Sequence, residues 1–433
     1  MMEDKYKGVL IFDLETAADM GSPTSTHKLR IFGCYSFDDD KYYLLEDKKE
    51  MRDMINRHKY LVGFNSVGGV FHGDVMEGYD TQVLYYNGFS DMINKDKDGI
   101  FRFKKKTNID LMMCFKKRAS AMKVKKGMLG DLLMRYSLDF ISRTIGVVDD
   151  TSAKLHDFDY SVLKKESKDW TDEERTKIIE YTKRDLEVTK KMYEWYENYF
   201  ESFRDFVKEE DIKNKSYLTC STAVFSYKVL CKELNLKEEY SNVKANSSFI
   251  GGYVALPTGE YFSGNILLFD YSSLYPNMFI MGNLFGNNCS CCTKDEKWDG
   301  DGFFKLKGSY CKKKEADLTK VLKKIYLLRK EYKKNGDPRE YSCKIFLNSS
   351  YGAVSNPVFS HIYNKTAGED CTALGRQYIL YSRKRFREEG YQCLMSDTDS
   401  IAVKVPDGKT KEDAQNLANK IVKELLSHMP FPW

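Results

Sequence analysis

Asp13 and Glu15 stand two residues apart inside GVLIFDLE (8–15), a run whose apolar residues give it strand character. Alternate side chains of a strand leave the same face, so both carboxylates share a face with Val9 and Ile11. Two acids on an otherwise apolar face are costly unless they are paired or hold a cation. Further along, Tyr181 and Asp185 lie four residues apart in a helical stretch, which also puts them side by side. A strand pair of acids with a helical Tyr/Asp pair could hold two divalent ions around a phosphodiester, the arrangement for two-metal hydrolysis.

A second acidic set lies in the other half of the chain. Asp270 closes the apolar run NILLF (265–269) and opens DYSSLYP (270–276), while Asp397 and Asp399 are two apart in SDTDS (396–400), spaced as in a tight hairpin. Three acids converging from two strands could clamp two Mg²⁺ (or Mn²⁺) ions, one lowering the pKa of an attacking hydroxyl and the other neutralising a triphosphate. Between these segments, KIFLNSSYG (344–352) sets Lys344, Asn348 and Tyr351 at i, i+4 and i+7, one face of a helix. A point charge there suits a phosphate, and a ring beside it suits a base or a sugar. Arg329 and Lys333, four apart on a preceding basic helix, form a second pair able to grip a triphosphate. Core packing accounts for Phe346 and Leu347 but not for this polar face.

The elements that must position these residues are legible in outline. A strand is expected over 8–15, a second over 28–37, and a long helix from Trp170 to about Phe206, capped by Thr171 or Asp172, with Ile178, Ile179, Tyr181, Leu186, Val188 and Met192 on its apolar face. Gly251, Gly252 and PTGEY (257–261) punctuate the chain before the β-run at 265–276, so a domain boundary is expected between about 205 and 250. A length of 433 residues predicts two to four domains, and 42% hydrophobic residues supply their cores. The net charge of +5 announces no partner by itself, but residues 301–340 hold 13 Lys or Arg against 6 Asp or Glu. The basic charge is therefore concentrated in one segment, where Leu318, Val321, Leu322, Ile325, Leu328 and Tyr332 recur at helical spacing.

Two ordered series of motifs carry a family resemblance. DLET (13–16), Asn65 in VGFNS, YDTQVL (79–84), SLDFI (137–141) and YTKRD (181–185) together resemble the 3′ to 5′ proofreading exonuclease domain of family B DNA polymerases. DYSSLYP, KIFLNSSYG and DTDS resemble the three polymerase motifs of the same family, in the same order. The resemblance covers residues 8 to about 405 and implies an α/β plus α+β fold. An RNase H-like exonuclease domain would occupy 1–205, a linker and first part of the palm 206–285, short helical fingers 286–352, and the second part of the palm 353–433. It implies metal ligation by Asp13, Glu15, Asp80 and Asp185, with Tyr181 orienting the attacking water, and Asp80 is expected as the third acid over Asp74 despite a longer stretch after Asn65 than the family has. In the polymerase half it implies Asp270 and Asp399 as principal metal ligands with Asp397 beside them. Tyr275 would be the steric gate that rejects a 2′-hydroxyl, Tyr351 would pack at the nascent base pair, and Lys344, Arg329 and Lys333 would hold the incoming triphosphate. SFIGGY (248–253) resembles the linker that couples template binding between the two active sites, with Phe249 in place of the usual Tyr ahead of Gly251 and Gly252. The expected activity is DNA polymerisation with 3′ to 5′ proofreading on primer-template DNA and deoxynucleotides, in a compact viral-type member. An exonuclease with a polymerase half inactive on its own is the alternative.

Some features depart from the family pattern. Met395 stands where an aromatic Tyr usually precedes the first Asp of DTDS, at the primer end. Only 34 residues follow Asp399, without the basic motif and thumb that hold the primer backbone, so a second polypeptide supplying the thumb or a truncated chain is expected. Cys289, Cys292 and Cys311 have a spacing compatible with a zinc knuckle. The partner that should follow is missing, since position 314 is Lys, and Cys291 would have to complete the set from an awkward place. Free thiols in a loop at the base of the fingers are therefore expected in preference to structural Zn²⁺. Eleven cysteines follow no disulfide framework, MMEDKYKG lacks a signal-peptide core, and no window approaches 18 consecutive apolar residues. An intracellular protein that does not span a membrane is expected.

Overall fold

The apolar run VLIF, buried on both faces, suits β1 (Val9–Ala17) to the middle of a five-stranded sheet with β2 (Lys28–Ser36), β3 (Lys41–Leu45), β4 (Tyr60–Gly63) and β5 (Thr107–Asp110), in the order β3-β2-β1-β4-β5. This computed structural model describes residues 5–19, 21–71, 74–125, 127–149, 158–243, 250–257, 261–287 and 289–433. β1 runs antiparallel to β2, pairing Asp13 with Gly33, and parallel to β4, pairing Leu10 with Leu61. Leu10, Phe12 and Leu14 are buried with Phe32, Cys34, Met51, Ile55, Leu84 and Phe89 in one core. That core includes residues of α1 (Lys48–Arg57) and α2 (Asp80–Leu84). α3 (Leu111–Arg118) and α4 (Leu138–Ile145) follow, and α5 (Asp172–Tyr199) lies against β1 and β2. Thr171 caps α5 in a reciprocal box with Glu174, and the helix ends at Tyr199, with residues 201–206 tightening to 3₁₀ geometry.

The chain divides into two compact units, one of Met1–Asp205 with Glu209–Thr222 and the other of Phe206–Lys208 with Ala223–Trp433. In the second unit, β6 (Val254–Ala255), β7 (Ile266–Asp270), β10 (Gln392–Asp397) and β11 (Ser400–Lys404) form an antiparallel sheet in the order β6-β10-β11-β7. A small two-stranded ribbon, β8 (Lys297–Trp298) with β9 (Tyr310–Cys311), lies between the two parts of that sheet in sequence. The continuous β-run expected over 265–276 breaks at Asp270. Ser273, in the left-handed region at φ 51°, leads into helix α6 (Leu274–Met281). One face of β7 carries Ile266, Leu268 and Asp270 to the surface, while Phe269 stacks at 5.3 Å on Phe386 of α9 (Lys365–Glu388). α7 (Asp317–Asn335) and α8 (Arg339–Val354) pack side by side, and α10 (Lys411–Leu426) packs on α9. The α/β plus α+β class expected from the sequence is the observed one. Among the described residues no helix is long and apolar enough to cross a membrane.

Candidate active sites

In the first unit β1 delivers Asp13 and Glu15 to the face that α5 covers. Gly33, opposite Asp13 on β2, lets the helix come close, because a Cβ there would stand 2.5 Å from Cγ2 of Thr182. The Thr182 hydroxyl consequently donates to Glu15 Oε1 at 2.9 Å and shares its proton with the Ile178 carbonyl at 2.8 Å. Asp185 follows about one turn later, also buried. Asp80 opens α2 and is buried, whereas Asp74 is exposed in a short hairpin of Gly68–Phe71 with Asp74–Glu77. That hairpin takes up the extra residues after Asn65. Its base is closed by the Tyr79 amide donating to the Asn65 carbonyl at 2.7 Å and by the Thr81 amide donating to that of Ser66 at 2.9 Å.

The electrostatics of this cluster follow from crowding acids in a dry place. Burial lifts Asp13 to about 6. Burial and then the charge of Asp13 push Glu15 up to about 8, against the hydrogen bond from Thr182. Burial and Asp13 raise Asp185 to about 7, against the Tyr181 hydroxyl and Arg184, and Asp139 adds to the rise. Asp80 is held well above the carboxylate range by burial, then by Asp13, Asp110 and Glu15. Asp80 Oδ2 and Asp185 Oδ1 are buried with no hydrogen-bond partner. An all-oxygen, electrically unbalanced set of this kind fits hard divalent cations. Tyr181 stacks on Phe158 at 4.5 Å and hydrogen-bonds the Tyr160 hydroxyl at 2.7 Å, and burial followed by the charge of Asp185 keeps its phenol protonated.

In the second unit Ser400 of β11 pairs with Asp270 of β7 on one side and with Asp397 of β10 on the other, so three strands set the first two acids either side of one residue. The tight turn places Thr398 at φ 49° and brings in Asp399, whose carbonyl accepts from the Tyr271 amide at 2.8 Å. Burial, then Asp270, and more weakly Asp397, raise the Asp399 pKa. Asp270, Tyr275, Arg329, Lys344, Asn348 and Asp399 line one cleft. Lys344 and Asn348 are exposed on α8 between buried neighbours. Tyr351 tilts against the Tyr275 ring at 4.9 Å. Arg329 is anchored by Glu340 at 2.8 Å and by the Ser273 hydroxyl at 2.9 Å. Lys333, one helical turn or about 6 Å further along α7, is exposed and is not among the residues lining the cleft.

Gly252 lies hard against this centre. A Cβ there would meet Thr398 at 2.9 and 3.0 Å and the Tyr275 hydroxyl at 3.0 Å. Arg376 donates to the carbonyls of Ile250 and Gly251, each at 2.6 Å, and so fixes the strand-like approach, while Gly251 faces open space. Phe249 lies outside the described residues. At the cysteines, the sulfurs of Cys289, Cys291, Cys292 and Cys311 all lie within 4.8 Å of one another, and none of the four is in a disulfide. Sequence reasoning passed over Thr182, Gly33, Thr398 and Arg376. Thr182 and Thr398 had a local signal, their places inside YTKRD and DTDS; Gly33 and Arg376 act through neighbours distant in sequence.

Taken together, fold and site define a two-unit α/β chain with a separate carboxylate centre in each unit. The model of DNA polymerase family B matches residues 210–431, just over half of the chain, and the chain belongs to that family. It is 29% identical over 207 residues to a DNA polymerase of Pyrococcus glycovorans, covering 45% of this chain and 26% of that protein. It is 30% identical over 189 residues to a DNA polymerase of Archaeoglobus fulgidus, covering 41% and 23%, and 29% identical over 179 residues to that of fowlpox virus, covering 32% and 18%. The fold is similar to that of the family B DNA polymerase from the hyperthermophilic archaeon Pyrobaculum calidifontis. The TM-score is 0.62 at 18% identity, over 96% of this chain and 55% of that one. The chain thus spans about a quarter of the curated relatives it matches and about half of the solved structure.

Proposed function

We propose that this chain extends a DNA primer with deoxynucleotides at the second centre and removes 3′ nucleotides at the first. The observation that carries the reading is the cleft of the second unit, which Asp270, Asp399, Arg329, Lys344, Asn348 and Tyr275 line together. Acids and cations lining one cleft suit a triphosphate held with divalent ions. Bound Mg²⁺ would activate the primer hydroxyl and neutralise charge on the phosphates, and Asp270, Asp399 and the neighbouring Asp397 are the residues to hold it. Lys344 and the free edge of Arg329 would grip the phosphates, and Tyr275, backed by Tyr351, would lie beneath the sugar and leave no room for a 2′-hydroxyl. Lys333 fits that role less well. In the first unit Asp13, Glu15, Asp80 and Asp185 would hold the divalent ions, Thr182 would aim Glu15, and the neutral Tyr181 hydroxyl would orient a water.

On this reading 1–205 is the exonuclease domain, 286–352 the fingers, with α7 and most of α8, and the segments on either side the palm. Primer extension in Mg²⁺ tests it. Wild type adds nucleotides, and Asp399→Asn binds primer-template but fails to extend it. Undiminished extension by Asp399→Asn refutes the placement.

A further inference from the structure

We infer that Cys289, Cys291, Cys292 and Cys311 form a mononuclear structural Zn²⁺ site. Cys291 Sγ lies 3.3 Å from Cys311 Sγ and 3.9 Å from Cys292 Sγ, and Cys292 Sγ lies 3.4 Å from Cys311 Sγ. Four thiolates around one ion, with bonds of about 2.3 Å, stand about 3.8 Å apart, so the set is already near tetrahedral dimensions. A cluster of several irons, whose ligands attach to different metals, holds its sulfurs farther apart. All four cysteines are free of disulfide.

The surroundings are built for a thiolate. The Lys314 amide donates to Cys311 Sγ at 3.2 Å, the kind of outer contact that orients a ligand sulfur. Cys311 lies on β9, where its own amide donates to the Gly286 carbonyl at 3.1 Å. A Cβ on Gly286 would stand 3.1 Å from that of Cys311. The buried Asn283 side chain donates to the Cys311 and Lys314 carbonyls, at 3.0 and 2.9 Å. It accepts from the Ala316 amide and the Thr319 hydroxyl, at 2.9 and 3.0 Å. The four cysteines thus tie the loop after α6 to β9, and Asn283, at the head of that loop, ties it on to the start of α7, the helix that carries Arg329. Binding exchanges thiol protons, released to solvent, for metal–sulfur bonds, with no change of oxidation state. The site stands whether or not the chain extends DNA.

Metal analysis of the full-length chain, purified under reducing conditions without chelator, tests this. We expect about one zinc per chain in wild type and a loss of most of it in Cys291→Ser and Cys311→Ser. Cobalt added to metal-free wild type should give the intense visible bands and sulfur-to-metal absorption of a tetrahedral thiolate site, which keeps the test independent of whether the variants fold. Zinc-free wild type that takes up no cobalt overturns the inference. So does iron with sulfide in place of zinc, or a Cys291–Cys311 disulfide in freshly prepared protein.

Discussion

Replacing Asp185 with Asn should make the metal-free protein more stable at pH 8 and less responsive to divalent cations. Asp185 is buried, its Oδ1 has no partner, and its pKa rises from 3.8 to about 7 through burial and the charge of Asp13. A folded-state pKa above the unfolded value means that the fold favours the protonated acid. The group's contribution is full below about pH 4 and is lost as pH climbs through about 7. A shift of about three pH units corresponds to roughly 4 kcal/mol for an isolated group, and because four acids share the repulsion, neutralising one should recover on the order of 1 to 4 kcal/mol. For a unit of this size that is a gain of about 3 to 10 °C in the melting temperature. Scanning calorimetry of wild type and Asp185→Asn in EDTA at pH 5 and pH 8, then with Mg²⁺ or Mn²⁺ at pH 8, reads all three terms. The variant should melt higher at pH 8 in EDTA, and by under half as much at pH 5, since that pH already lies above the unfolded value but below the folded one. Wild type should gain more from the cation, which binds only the folded form. A variant less stable than wild type at pH 8 in EDTA, or displaced equally at both pH values, would refute a repulsive buried cluster.

Other substitutions separate the parts. Thr182→Val removes the donor to Glu15 at nearly constant volume and should slow 3′ degradation about tenfold without changing extension, read on single-stranded and primed substrates respectively. Gly252→Ala drives a methyl against the Thr398 turn and the Tyr275 hydroxyl, so extension should fall by at least about tenfold while degradation of single strands persists. Tyr275→Ala should reduce discrimination against ribonucleotides by about tenfold or more, measured as the ratio of kcat/KM for the two sugars.

What the sequence disclosed and what it hid have a common cause. Asp13 with Glu15, Lys344 with Asn348 and Tyr351, and Asp397 with Asp399 are each set by the period of a single strand, helix or turn, which is readable from spacing alone. The extra residues between Asn65 and Asp80 were legible as an insertion, but the hairpin they form, and hence why Asp80 rather than Asp74 reaches the acids, depends on the closing bonds from Tyr79 and Thr81. Gly33 looks like an ordinary glycine until Thr182 is seen against it, and Gly252, legible from SFIGGY as a motif, shows its steric reason only once Thr398 and Tyr275 are seen against it. Cys291 looked ill placed because a reader of spacings assumes a regular knuckle, whereas an irregular loop turns its sulfur toward β9. The break of the apolar run at Asp270 likewise rests on Ser273 adopting a left-handed conformation that its type does not announce.

The central claim is that two carboxylate centres in two units do opposite chemistry on the same DNA end. One gel tests it most directly: a 5′-labelled primer-template incubated with Mg²⁺, with and without deoxynucleotides, comparing wild type, Asp13→Ala with Glu15→Ala, and Asp399→Ala. The double variant should extend and not degrade, and Asp399→Ala should degrade and not extend. Degradation that survives the double substitution, or extension that survives Asp399→Ala, contradicts the account.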